Sequence, residues 1–134
     1  MSTRSRIGIA NEDGTVTSIY CHYDGYPQHN GKILTKHWTD TGKVRQLMSL
    51  GDISVLSKEI GEQQDFNDRS NKDWCLAYGR DRGEPGTEAM EHHSIPYFLY
   101  NGGEYNYLFS EGKWICFAGK RIKDRINLEE YVGA

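Results

Sequence analysis

The chain reads as an α+β domain: a mostly antiparallel sheet of four or five strands with two or three short helices packed on one face. Three observations predict this. Alternating apolar residues punctuated by turn dipeptides open the chain and return near its end, the period between them is helical, and the regular strand–helix alternation of a doubly wound sheet is missing. With 134 residues, the chain is expected to form a single domain over 1–134, long enough to bury a core without covalent staples.

The first element is a hairpin. Ile7-Gly8-Ile9-Ala10 and Val16-Thr17-Ser18-Ile19-Tyr20 flank Asp13-Gly14, a dipeptide suited to a two-residue turn with positive φ. Pairing Glu12 with Thr15 places Ile7, Ile9, Val16 and Tyr20 on one face, and Gly8, Ala10, Ile19 and Cys21 on the other. Gly8 and Ala10 then leave room for a helix to approach closely. After Pro27, Ile33, Leu34 and Trp38 have helical spacing, and Val44, Leu47 and Met48 repeat it in a second helix capped by Thr39 or Asp40 and stopped at Gly51. Ile53, Leu56 and Ile60 suggest a third short helix ending at Gly61.

The stretch 62–73 is polar and aperiodic, hence an exposed loop. Trp74 to Tyr78 reads as a central strand, Gly79 to Gly86 as irregular backbone and Thr87 to His93 as a linker. Ile95 to Tyr100 is a short helix or extended piece. A second hairpin joins Tyr105–Phe109 to Lys113–Phe117 across Ser110-Glu111-Gly112, and Leu128 to Val132 closes as a helical turn.

Composition narrows the function classes. A net charge of −3 fits neither a generally basic nucleic-acid binder nor a highly charged DNA mimic, so nucleic acid is not the expected partner. Charge is uneven: residues 59–91 carry nine acids against four bases, whereas Lys120, Arg121, Lys123 and Arg125 face only Asp124. That basic stretch is the one route to a nucleic-acid-binding role. Cys21, Cys75 and Cys116 are odd in number and widely separated, a pattern suited to a reducing cytosol, and no run is long enough to span a membrane.

Polar chemistry concentrates in Cys21-His22-Tyr23-Asp24-Gly25-Tyr26-Pro27. An imidazole with a carboxylate to fix its tautomer is acid–base chemistry, so an enzyme would use His22 and Asp24 as acid and base, although their spacing is against a tight pair; the alternative is a turn pinned by Asp24 and Tyr26. A metal would recruit Cys21, His22 and His29 with Cys75, His92 or His93, but closely paired ligands are lacking and neither metal nor cofactor is expected. Arg80-Asp81-Arg82-Gly83-Glu84 offers two guanidiniums beside glycines for a phosphate, or else internal Arg80–Asp81 and Arg82–Glu84 pairs. The candidate ligand- or partner-binding residues are therefore His22, Tyr23, Asp24, Tyr26, Arg80 and Arg82.

Thr3-Arg4-Ser5-Arg6-Ile7-Gly8-Ile9, Glu12-Asp13-Gly14-Thr15-Val16, Ile19 to Pro27, Leu50-Gly51-Asp52, Tyr78 to Glu84 and Tyr107-Leu108-Phe109 before Gly112-Lys113-Trp114 together carry a resemblance. Over nearly its whole length the chain resembles a family of small proteins encoded by tailed bacteriophages. The resemblance implies the cytoplasm of an infected bacterium and an accessory role in host takeover or anti-defence, and it transfers no catalytic residue. The expectation is a non-enzymatic inhibitor that binds a host protein or a small nucleotide signal, with a small nucleotide-acting hydrolase or transferase as the alternative. Self-association is left open.

Overall fold

A three-residue loop, Glu12-Asp13-Gly14, sets the register of the first hairpin and so the content of both sheet faces. In the computed structural model, which describes residues 2–69 and 71–132, the Asn11 N–H donates to the Thr15 carbonyl and the Gly14 N–H to the Asn11 carbonyl. Gly14 takes φ 89°. This is a tight turn followed by a left-handed residue rather than the expected two-residue turn. The strands β1 (Ser5–Ala10) and β2 (Val16–Cys21) consequently pair Ile7 with Ile19 and Ile9 with Thr17. A slip of one residue exchanges the faces. Ile7, Ile9, Ile19 and Cys21 therefore share the front face, while Arg6, Gly8, Val16, Ser18 and Tyr20 share the back.

The described residues form one mixed eight-stranded sheet, which corrects the expected four or five strands. Its further strands are β3 (Ile53–Val55), β4 (Leu76–Ala77), β5 (Met90–His92), β6 (Tyr105–Ser110), β7 (Lys113–Phe117) and β8 (Arg125–Ile126). The order is β4-β3-β2-β1-β6-β7-β8, with β5 pairing the first half of β2 beside β3. Most pairings are antiparallel; β1–β6 and β2–β3 are parallel. The second parallel pair arises because β2 returns through α1 (Lys32–His37) and α2 (Thr41–Leu50), the long crossover that parallel neighbours require.

Several elements differ from the sequence reading for identifiable reasons. Ile53 begins a strand, not a third helix: Ile53, Leu56 and Ile60 have helical spacing, but the first belongs to a strand of three residues, too short to show a period. Trp74–Tyr78 supplies only the two-residue edge strand β4. The glycine-rich stretch after it holds α3 (Tyr78–Arg82), which ends in left-handed Gly83, and the expected linker contains β5. The second hairpin turns on Glu111 and Gly112, both at positive φ.

The helices lie on both faces, not one. On the front, Leu34, Trp38, Val44, Leu47 and Met48 from the α1–α2 region pack on Ile7, Ile9, Ile19, Tyr107 and Phe109. α5 (Glu129–Val132) adds to that side through Val132 and the adjoining Leu128. On the back, α4 (Ile95–Tyr100) sets Phe98 and Leu99 against Val16, Leu108 and Phe117. Gly8 makes this possible, since a Cβ there would lie 3.0 Å from the Phe98 ring. α4 thus packs across β2, β6 and β7 on the back face, with β5 beside it.

Candidate functional site

His22 and Tyr23 continue the pairing of β2 past Cys21, their N–H groups donating to the carbonyls of Ile53 (3.1 Å) and Ser54 (3.0 Å). Alternation therefore sends the Cys21 thiol into the front core and the His22 ring to the back face. Cys21 is fully buried, and burial pushes its thiol up to about 12, the opposite of what a nucleophile needs. Burial likewise raises Cys75 to about 11 and Cys116 to about 12. His22 Nδ1 is bonded to the Tyr20 hydroxyl at 2.6 Å, and its ring stands edge-on to Tyr23.

Asp24 does not pair with His22. It adopts φ 57° and its carbonyl accepts the Asn30 N–H, while the next residue, Gly25, crosses the start of β1 so closely that a Cβ would lie 2.7 Å from Ser5 Cβ. The Tyr107 hydroxyl donates to the Gly25 carbonyl at 2.6 Å. The backbone of this run is thus a buttress of the front core. Tyr23 and Tyr26 project outward as exposed rings, Tyr26 tilted against His29.

Arg80 is consumed internally. Its guanidinium pairs with Asp81 at 2.9 Å and donates to the carbonyls of Ile60 and Cys75, both at 2.8 Å. Asp81, whose side chain is fully buried, also accepts the N–H groups of Gln64 and Ala77. Together they bolt the long 57–75 loop to α3. Arg82 is exposed, lies over the rings of Phe66 and Tyr78, and pairs with Glu84 at 3.1 Å. The internal pairs read as the alternative in the sequence are present, and of the two arginines Arg82 keeps its guanidinium at the surface.

The hairpin register assembles a polar strip on the back face, buried at the end where His92 stands edge-on to Phe98 and half-buried beyond it. Arg6 stands directly across from Tyr20 and donates through Nη1 to Ser18 Oγ at 3.2 Å; Ser18 Oγ in turn lies 2.6 Å from His92 Nε2. A guanidinium only donates, so Ser18 accepts from Arg6 and its own proton is left for a neutral His92. The Tyr20 N–H donates to Asp52 Oδ1 at 2.9 Å, and the Asp52 carbonyl accepts the Tyr78 N–H. The strip runs from Arg6 through Tyr20, His22 and Asp52 to Tyr78 and the Arg82 stacked on it.

Its electrostatics follow from burial. Arg6 is only 9% exposed, and among the described ion pairs none includes it. Burial draws the Arg6 pKa down, with Asp52 and Tyr20 opposing. Burial also raises the Asp52 carboxyl, against the pull of the Tyr20 N–H and of Arg6. Tyr20 and Tyr78 are raised by the same cause and remain hydroxyl donors. His92 is lowered by burial and then by the charge of Arg6.

Sequence reasoning placed His22 and Arg82 in candidate sites and missed Arg6, Ser18, Asp52, Tyr78 and His92. The correct hairpin register was the signal that would have found Arg6 and Ser18, because it puts Arg6 opposite Tyr20; Asp52, Tyr78 and His92 join them only through pairings between distant segments. The candidate metal ligands are scattered: no group of three His, Cys, Asp or Glu among the described residues is placed to hold an ion. Lys120 and Lys123 lie exposed around a short turn at Ile122–Asp124, and Arg121 pairs with Asp124. No described helix is long and apolar enough to cross a membrane. No protein-family model, curated protein or solved structure matches the chain.

Proposed function

We propose that this protein works by binding rather than by catalysis, as a phage-type accessory protein in the bacterial cytoplasm that captures a small nucleotide signal on the polar strip of its sheet. The observation that carries this reading is Arg6, a guanidinium nine-tenths buried whose described hydrogen bond is to a neutral serine. A buried cation is costly without a partner, and an anion arriving at the strip would supply one. Around it, the half-buried ring of Tyr20 would pack against a base, Asp52 Oδ2 would accept from a ribose hydroxyl, and Arg82, stacked on Tyr78, adds a second cation at the far end.

Binding is favoured over turnover because the acid–base pair is not assembled: His22 is bonded to a phenol, and the three thiols are buried and protonated. Calorimetric titration with a panel of mononucleotides, dinucleotides and cyclic nucleotides tests the reading. Saturable binding is expected, with the ligand recovered intact, and Arg6→Met should weaken it by about 1.5–3 kcal/mol through loss of charge-assisted hydrogen bonds. Binding by no nucleotide, or product formed in excess over protein, rejects it.

A further inference from the structure

On the side away from the strip, a groove of about 930 Å³ runs between α1, the start of β7 and α5. It adjoins a second hollow of about 460 Å³ that shares Trp114, Leu128 and Glu129. Lys32 and Lys36, one helical turn apart, line one wall; Lys113 lines another, and Arg125 reaches the second hollow. Among the described residues none of these four cations lies within ion-pair distance of a carboxylate, and Glu129 is the acid that lines the groove. A chain of net charge −3 thus gathers four cations against one lining carboxylate around this groove and the hollow beside it.

The floor is of a different kind. Trp114 packs on Phe109 with ring centroids 5.0 Å apart, and its Nε1 is already spent on the Trp38 carbonyl at 2.8 Å, so the indole is held rigid and offers only an apolar surface. Leu128 and Val132 continue that surface. We propose that this groove docks an acidic segment of a partner protein, with apolar side chains seated on Trp114, Leu128 and Val132 and carboxylates meeting Lys32, Lys36, Lys113 and Arg125.

A rigid aromatic anchor inside a charged rim is the usual anatomy of a protein-docking site. A nucleic-acid strand fits less well on two counts. Strand binding relies on several rings in succession, and the groove has a single indole. The net negative charge of the whole molecule also opposes approach of a long polyanion, whereas a short acidic segment meets mainly the local cations. The inference is independent of the nucleotide reading, since the two surfaces share no residue.

The test is fluorescence polarisation with a short labelled peptide in which acidic pairs alternate with Leu and Phe. Saturable binding that weakens with salt is expected. Lys32→Glu combined with Lys36→Glu, or Lys113→Glu alone, should weaken it about tenfold. Lys72→Glu, on the distant loop, and Arg6→Met should leave it unchanged. These lysines are exposed, and unchanged melting temperatures would verify that the variants fold. The inference is overturned if an amide version of the peptide binds equally well, if the groove charge reversals have no effect, or if oligothymidylate binds more tightly than the acidic peptide.

Discussion

The two faces of one sheet solve opposite problems. The front is mainly apolar, with Trp38, Val44 and Leu47 closing over Ile7, Ile19, Ile53 and Tyr107, all of them fully buried, and its buried polar groups Ser5 and Asn30 bond each other. The back is mixed: Phe98 and Leu99 pack on Val16 and Leu108, and beside them Arg6, Ser18 and His92 form a buried polar end from which a half-buried strip runs through Tyr20 and Asp52 to Tyr78. Burying apolar surface stabilises the fold in proportion to area, whereas burying a guanidinium detracts from it. The contrast places most of the apolar stabilisation on the front, and under the function proposed above the polar strip of the back is where a ligand would bind.

The largest test of this division is truncation on each face. Trp38→Ala should destabilise by about 4–5 kcal/mol, since it opens a cavity and leaves the Ser57 carbonyl without the Nε1 donor now 2.9 Å away. Phe98→Ala, in the smaller back cluster, should cost about 3 kcal/mol. Urea unfolding measures both, and equal losses would undo the contrast. Next in size is Gly8→Ala, whose methyl would meet Phe98, Val16 Cγ1 at 3.0 Å and the Thr17 carbonyl at 3.2 Å. A loss of about 1–3 kcal/mol is expected from overpacking, and a neutral result would mean that α4 is free to shift away from the sheet.

Arg6→Met should behave differently from either. Replacing a buried, unpaired cation by an apolar chain of similar length should leave unfolding free energy within about 1 kcal/mol of the native protein, or raise it, even as nucleotide affinity falls. A loss as large as that of Phe98→Ala would make Arg6 part of the scaffold and reverse its assignment.

The smallest effect is the pH response of His92. Its folded pKa lies below the ordinary value because of burial and the charge of Arg6, with Glu91 opposing, so the unfolded chain takes up the proton first. Stability should be intact above about pH 6.5 and decline as pH falls towards the lowered folded value. Asp52, raised by burial, acts in the opposite sense over its own window above about pH 4 and is common to both proteins compared. The difference between native protein and His92→Asn in urea midpoints between those limits isolates the histidine, and parallel curves would count against a neutral His92 bonded to Ser18.

Local signals in the chain were read well where one residue settles the outcome. Asp40 does cap α2 through a 3.0 Å bond from the Lys43 N–H, and Gly51, at φ 84°, does end it. The Arg82–Glu84 pair needs only two nearby residues and a turn, so it too was legible. β3 was not, because a strand of three residues carries no readable period, and β5 was hidden because Met90-Glu91-His92 pairs with β2 at the sheet surface without an apolar alternation.

The candidate site divides along the same line. His22 stood out because the residue types around it are chemically dense, whereas Arg6 looked like one more polar residue near the start of the chain. Its burial depends on which residue of β2 faces it, and that depends on whether the loop uses two residues or three. Composition, turn residues and helix caps are written in single positions and their immediate neighbours, so the chain alone determines an α+β domain with hairpins at its ends and helices between. Register, parallel pairing and the coverage of each face arise from contacts between distant segments, where a one-residue shift reverses every side chain; the polar strip therefore exists only once the sheet has closed.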